Sequence, residues 1–473
     1  MVQSPRCQGI VPPYLLQQLA LRADPSLAER ARASLLLDGE HRRRRAGVLP
    51  PARSRAAAAP GVDDGTAPRR TVSDAHATTT LPGEVVRAEG AEPTGDAATD
   101  EAYDGLGATW ALFHDAFGRD SLDDAGRALD ATVHYGRDYD NAFWDGTRMV
   151  FGDGDGSVFE RFTVAVDVIG HELTHGVTEK TAGLAYQGQS GALNESISDV
   201  FGSLVKQQVL GQDAASADWL IGAGLFRPGV KGVALRSMKA PGTAYDDPVL
   251  GRDPQPATMA GYVDARDDNG GVHTNSGIPN HAFYLAATGI GGDAARGAGQ
   301  VWYDVLTGGS LPQDADFATF AAQTVLAAAR RFGAESPQAR AVAAAWAEVG
   351  VDGAAPAGGT SGGAAGGAAP PPGVVGVRRS GGLMGRSVQR EVDVDAMPAD
   401  RAQEWRSLLS SGVLRSLTRP EPAPDRYVYR VWCLAVDLDV TAGEQQLPDD
   451  VRSTLEATLG MAQGAASEPD DPW

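Results

Sequence analysis

The stretch that decides the reading runs from Val164 to Asp199. It holds two short motifs, His171-Glu172-Leu173-Thr174-His175 and Asn194-Glu195-Ser196-Ile197-Ser198-Asp199. Side chains four apart on a helix leave it from one face. His171 and His175 would then offer two imidazoles to one zinc ion, at about 2.0–2.1 Å from each nitrogen. Glu172 hangs over the open side of the metal, where a water binds. Histidine is scarce, 8 of 473 residues, so chance seldom produces this pairing.

A catalytic zinc needs a third protein ligand and a vacant position. Leu193, Ile197, Val200, Phe201 and Leu204 recur at helical spacing and predict a second helix with a buried face. Glu195 and Asp199 share one side of it. Glu195 is the candidate third ligand. Asp199 is placed to accept the free ring N–H of a ligand histidine, which fixes the tautomer and raises ligand basicity.

From Gly170 to Gly202 the sequence resembles the thermolysin-like neutral metalloproteases almost position for position. Asn141-Ala142-Phe143-Trp144, Gly152-Asp153-Gly154-Asp155-Gly156, Leu235-Arg236-Ser237-Met238 and the run from Asp268 to Gly277 resemble the same family in the same order. The likeness covers about residues 72 to 351. It implies an α+β, two-lobed catalytic domain, with a sheet-rich N-terminal lobe, a helical C-terminal lobe and the zinc helix between them. It implies zinc-dependent hydrolysis of peptide bonds, with Glu172 as general base. Tyr186 and His273 match the positions that stabilise the oxyanion, and Asp268 matches the acid that orients His273. Asn141 and Ala142 match the edge-strand positions that bind substrate backbone, and Arg236 matches the residue that holds the carbonyl beyond the cleaved bond. Phe162, Val168, Leu225 and Leu235 match the lining of the pocket after the scissile bond. All four are apolar, so the expected preference is for bulky apolar residues there.

The likeness departs from its family at a calcium site. Asp167 and Asp218 match two of its acids, but Lys206, Leu220 and Ala223 stand where further acids belong. An ammonium there repels Ca²⁺, so the double calcium site is expected to be lost or reduced. The glycine–aspartate run at 152–156 lacks EF-hand spacing and reads as a turn.

Length allows two to four domains and an ample core. A formal net charge of −20 argues against nucleic-acid and anionic-membrane partners. No run of about 18 apolar residues predicts a membrane span. Cys7 and Cys433 lie at opposite ends and cannot form a disulfide framework. The N-terminus lacks a charged segment followed by an apolar stretch, so no conventional secretory signal is visible. The expected partners are protein and peptide substrates, with a monomeric chain.

Residues 1–46 carry Ile10-Val11-Pro12-Pro13-Tyr14-Leu15-Leu16 and two helical patterns. Leu15, Leu16 and Leu19 mark the first; Leu27, Ala31 and Leu35 mark the second. This is similar to the short propeptide of the protealysin-type branch, which implies a segment that blocks the catalytic domain until removed. Cys7 is either an ordinary thiol or a thiolate within reach of the zinc. Residues 47–70, basic and then rich in Ala, Pro and Gly, read as a mobile linker and the expected place of maturation cleavage. The N-terminal lobe is expected over 71–165, the helical lobe over 166–351 and a Gly/Ala/Pro linker over 352–373.

Residues 374–473 read as a small α/β domain. Arg379-Ser380-Gly381-Gly382-Leu383, Val392-Asp393-Val394-Asp395, Asp425 to Tyr429 and the Leu447-Pro448-x-x-Val451 helix start resemble emfourin, an inhibitor of protealysin-like proteases. The domain is therefore an emfourin-like inhibitor or an accessory module.

Two functional classes follow. The first is a zinc endopeptidase made as a proenzyme, extracellular as its family is, or else a cytoplasmic precursor. The second is a catalytically restrained, inhibitor-bearing binding protein. The edge-strand motif at Asn141-Ala142 favours an endopeptidase over an exopeptidase.

Overall fold

The computed structural model describes residues 8–47 and 67–351. In the C-terminal region it describes 374–381, 388–394, 397–410, 413–414, 427–433 and 438–460. Cys7, most of both linkers, the stretch 382–387 and Asp425 lie outside the described residues. The chain divides into two compact units, Met1–Gly359 and Thr360–Trp473.

The first unit opens with a two-residue strand β1 (Gln8–Gly9) and two helices, α1 (Pro13–Arg22) and α2 (Pro25–Gly47). Pro12 and Pro13 suit this start, because a proline at the first helical position loses no hydrogen bond. Leu15, Leu16, Leu19, Leu27 and Ala31 are buried, as the two stripes predict, while Leu35 is only half-buried. Strands β2 (Arg70–Asp74) and β3 (Glu84–Ala88), helix α3 (Ala97–Phe117), and strands β4 (Leu129–Val133), β5 (Ala142–Trp144) and β6 (Met149–Phe151) follow. The sheet order is β1-β5-β6-β4-β2-β3. Pairs β2–β4 and β4–β6 are parallel, and β1, β5 and β3 join antiparallel to their neighbours. Strand β5 would be an edge without β1.

Two boundaries differ from the periodicity, which predicts a helix over Tyr103 to Phe117 and a strand from Thr71 to Pro82. Helix α3 starts at Ala97, six residues before Tyr103, because Asp96 accepts the Thr99 N–H at 2.8 Å and caps it. The start of the helix buries only small residues, Ala98, Thr99 and Ala102, so no apolar stripe announces it. Strand β2 ends at Asp74, well short of Pro82, where the Asp74 carboxylate accepts the His76 N–H at 2.6 Å and turns the chain.

Helices α4 (Val166–Lys180) and α5 (Gly188–Leu210) form the centre. Every residue of α4 from Asp167 to Thr178 is buried, including its two histidines and Glu172. The two helices approach through glycine. A β-carbon on Gly202 would lie 2.4 Å from the Asp167 carbonyl oxygen, and one on Gly170 would lie 3.0 Å from the Gly202 α-carbon. That closeness lets short side chains of α5 reach the α4 imidazoles.

The helical lobe is built from Gly277–Ile290, a π-turn at Ala295–Gly299 leading into Gln300–Thr307, Phe317–Phe332 and Pro337–Glu348. Trp302 and Trp346 stack at 5.9 Å between ring centroids, with Phe283 and Phe320 edge-on around them. Among the described residues no helix is long and apolar enough to cross a membrane.

The second unit is a four-stranded antiparallel sheet, ordered Val388–Asp393, Val374–Gly381, Tyr427–Cys433, Leu438–Gly443. Helices Ala399–Ser410 and Asp449–Thr458 accompany it. Val375, Val431, Trp405 and Leu455 form its core, and the Trp405 indole N–H donates to Thr458 Oγ1 at 3.1 Å. Cys433 is a buried free thiol.

Candidate active site

His171 and His175 leave α4 one turn apart, with their Nε2 atoms 3.1 Å from each other. Glu195 comes from α5, with a carboxylate oxygen 3.5 Å from each Nε2. Ligand atoms at about 2.0–2.1 Å from a tetrahedral zinc lie about 3.3 Å apart. The observed separations bracket that value.

The donor chemistry also fits a cation. His171 Nδ1–H donates to Asp199 Oδ1 at 2.7 Å, and His175 Nδ1–H donates to Asn194 Oδ1 at 2.8 Å. The Asn194 amide is oriented by its own Nδ2, which donates to the Leu184 carbonyl at 3.2 Å. Both imidazoles therefore turn lone pairs inward. Glu195 Oε2, also buried, accepts no hydrogen bond. Converging electron pairs in a dry site repel one another unless a positive ion lies between them. Among the described residues no other group of three His, Cys, Asp or Glu side chains is arranged to hold a metal ion.

Glu172 turns toward the sheet, where its Oε2 accepts the Trp144 backbone N–H at 3.0 Å. On the other side, Tyr186 donates its hydroxyl to Glu195 Oε1 and lies 3.3 Å from His273 Nε2. Burial, with the nearby Glu195 and Asp268 charges, drives the Tyr186 phenol well above its ordinary value, so it stays a donor. The segment before His273 is not helical. Asp268, Asn269, Gly270 and Gly271 all have positive φ, 49° to 87°, a left-handed run that Asp, Asn and Gly tolerate best. This turn brings Asp268 Oδ1 to 2.7 Å from His273 Nδ1 and Oδ2 to 2.9 Å from its backbone nitrogen. Burial alone would lower the His273 pKa. The Asp268 and Glu195 charges outweigh it and raise the ring to about 9.

Arg236, on a short strand with Ser237, donates to Asp199 through Nε at 2.8 Å and Nη2 at 2.7 Å. Asn280 Nδ2 donates to the same carboxylate at 2.8 Å. Burial would raise the Asp199 carboxyl, but the Arg236 charge and the His171 contact overcome it and hold it far below the usual range. Asp199 is thus a fixed anion joining a ligand histidine to Arg236.

The cleft contains part of the chain's own N-terminus. Strand β1 pairs with β5 in the register Gln8↔Trp144 and Gly9↔Phe143. The Ile10 N–H donates to the Ala142 carbonyl at 3.1 Å, and the Val11 N–H donates to Asn141 Oδ1 at 2.9 Å. Arg236 Nη1 donates to the Ile10 carbonyl at 3.0 Å, and His273 Nε2 to that of Gly9 at 3.3 Å. The Ile10 side chain is fully buried, within the hydrophobic core of the first unit to which Phe162, Val168, Leu225 and Leu235 also belong. Helix α2 reinforces the seat, since Asp38 accepts from the Tyr139 hydroxyl and from Asn141 Nδ2 at 3.0 Å.

Sequence reasoning left Asn194, Ser198, Asn280 and Gln255 without roles. Ser198 Oγ lies 3.0 Å from His175 Nδ1, and Gln255 Nε2 donates to the His273 carbonyl at 2.7 Å. Asn280 had a signal, being a lone amide between Ile278 and the buried pair Ala282 and Phe283. Where the sequence likeness led to the expectation of a lost calcium site, Lys206 Nζ reaches Asp167 Oδ2 at 2.8 Å and Asp218 Oδ1 at 2.9 Å.

A water-activating metal cage flanked by a buried carboxylate and a charged donor is hydrolase machinery. Comparison with known families says which kind. The catalytic-domain model of thermolysin metallopeptidases matches residues 62–179, and its α-helical-domain model matches 182–351. The emfourin model matches 377–459. An extracellular metalloprotease of Pectobacterium carotovorum subsp. carotovorum is 58% identical over 283 residues, 60% of this chain and 81% of that protein. Protease PrtS of a Photorhabdus strain is 46% identical over 355 residues, 74% of this chain and 94% of the relative. The solved precursor of protealysin, a metalloproteinase from Serratia proteamaculans, superposes with a TM-score of 0.66 at 52% identity, over 73% of this chain and 99% of that one. The chain belongs to the thermolysin family of zinc metalloendopeptidases, in its protealysin-type branch, and carries an emfourin domain.

Proposed function

We propose that this chain is a proenzyme whose mature form cleaves proteins on the amino side of bulky apolar residues, with His171, His175 and Glu195 holding its zinc. Bound zinc supplies a Lewis acid that lowers the pKa of a coordinated water and polarises the substrate carbonyl. Glu172 takes the water proton and hands it to the departing amine. Protonated His273 and the Tyr186 phenol face the carbonyl side, where negative charge develops. Asp268 orients His273, and Asp199 holds the His171 tautomer and anchors Arg236. Asn141, Ala142 and Arg236 grip the substrate backbone, while Phe162, Val168, Leu225 and Leu235 receive the side chain after the cut.

The observation that carries both the specificity and the proenzyme reading is Ile10. Its backbone takes up Ala142 and Arg236, and its side chain is fully buried in the core that also holds the four pocket residues. A segment seated there excludes substrate, so residues 1–46 act as an inhibitory propeptide whose release follows cleavage in the 47–70 linker. The extracellular naming of the Pectobacterium relative supports secretion. The emfourin domain is a candidate inhibitor in cis. A flexible linker of about 20 residues reaches about 25 Å root-mean-square, which gives a high effective concentration.

The test is Glu172→Gln. It should abolish cleavage of casein while one zinc per chain remains bound; undiminished cleavage refutes the assignment. Digests of a long peptide should show Leu, Ile, Phe or Val on the carboxyl side of each cut. Truncation after Gly353 should raise activity, and unchanged activity removes the cis-inhibition reading. A purely binding role has less support, because Glu172, Tyr186, His273 and Arg236 are all kept.

A further inference from the structure

The N-terminal strand does more than plug the cleft. It runs through it in one direction and in one register. Three consecutive residues meet separate polar groups in order: Gly9 C=O with His273, Ile10 N–H and C=O with Ala142 and Arg236, Val11 N–H with Asn141. His273 Nε2 is itself 3.5 Å from Glu195 Oε2 and 3.3 Å from the Tyr186 hydroxyl. Gly9 therefore presents its carbonyl to His273, a donor that borders the metal cage. The next residue, Ile10, buries its side chain completely in the core. On the other flank, Glu172 is held by the N–H of Trp144, the residue paired with Gln8. Base, carbonyl and apolar seat thus bracket one peptide bond.

We propose that Gly9–Ile10 is an autoproteolytic site, cut in cis by this active site before or during maturation. The inference rests on the endopeptidase reading above. Water adds across the bond: its hydroxyl goes to the Gly9 carbonyl carbon, the C–N bond breaks, and the proton goes to the Ile10 nitrogen. The products are a Gly9 carboxylate and a new Ile10 amine. The cut does not free the cleft. Val11 stays bound to Asn141, Asp38 stays bound to Asn141 and Tyr139, and Leu15, Leu16 and Leu19 stay buried. Residues 10–47 remain as a bound product, so trimming precedes release and does not replace it. Glycine suits the position, since a β-carbon at Gly9 would lie 2.7 Å from Asn141 Nδ2.

The experiment follows full-length protein by intact mass and N-terminal sequencing, with one equivalent of zinc. A parallel arm measures backbone hydrogen exchange at Ile10 and Val11 in full-length Glu172→Gln. The expected result is loss of Met1–Gly9 and a new Ile10 N-terminus in the wild type but not in Glu172→Gln, whose Ile10 and Val11 amides exchange slowly. Ile10→Leu should still be trimmed, and Ile10→Asp should not. Linker cleavage or casein hydrolysis with Met1–Gly9 still attached overturns this proposal and leaves the endopeptidase reading standing. The same trimming in Glu172→Gln, or fast exchange of both amides, also overturns it. If neither the chain nor casein is cut, the endopeptidase reading fails and takes this proposal with it.

Discussion

Lys206 Nζ sits 2.8 Å from Asp167 Oδ2, an ammonium lodged among acids whose sequence positions match a calcium site. It also reaches Asp218 and the Leu220 carbonyl. Asp167 is 1% exposed; burial raises its pKa, and the Lys206 charge opposes the rise. The chain thus supplies with its own side chain the positive charge that a calcium ion would bring. Lys206→Ala should cost about 3–5 kcal/mol, the usual penalty for stranding one partner of a buried pair. Added calcium should leave the wild-type Tm unchanged and raise that of Lys206→Glu. A wild-type Tm that climbs with calcium would contradict this.

Asp199 accepts from His171, Arg236 and Asn280, so its charge serves metal and substrate groups together. Asp199→Asn keeps the shape but offers one acceptor oxygen. Zinc affinity should fall about 10–100-fold, measured by competition with a chelator, and KM should rise as Arg236 loses its anchor. An unchanged zinc affinity would show that the anion does not support the ligand.

Gly202 lets α5 press against α4. A methyl group there would meet the Asp167 carbonyl at 2.4 Å, a backbone atom that cannot step aside. Gly202→Ala should destabilise by about 1–3 kcal/mol through overpacking. It should also weaken zinc binding, because Glu195 rides on the displaced helix. Normal zinc affinity with reduced stability would separate the two effects and remove the second.

His134 offers a pH test away from the metal. Its hydrogen bond to Asp153, at 2.9 Å, outweighs burial and, with the Asp153, Asp96 and Asp74 charges, raises the ring to about 9. The unfolded value is about 6.5. A folded pKa raised above the unfolded one contributes stability that is complete below about 6.5 and is lost as pH rises through about 9. The Tm of the wild type should therefore fall between pH 6 and pH 9.5 by more than that of His134→Gln. Parallel profiles would rule the pair out.

The metal cage was legible because it is local. Two histidines four apart and a glutamate phased on a following apolar-striped helix obey helical periodicity, which any sequence displays directly. Helix α1 was legible for the same reason, its stripe of Leu15, Leu16 and Leu19 lying buried. The early start of α3 was not, since a first turn of small residues carries no periodic signal. Nor was the partner of Asp199 at Asn280, because it lies 81 residues further on and nothing along the chain connects them.

The sequence alone determined the chemistry: which side chains can hold the metal and which carboxylate stands beside it. Tertiary structure decided what those side chains meet. Arg236 donates to Ile10 across 226 residues, and Lys206 closes on Asp167 and Asp218 from three separate segments. Periodicity is a property of neighbours on one helix or strand. Which distant backbone fills an edge strand, and which charge neutralises a buried acid, depends on how whole elements pack.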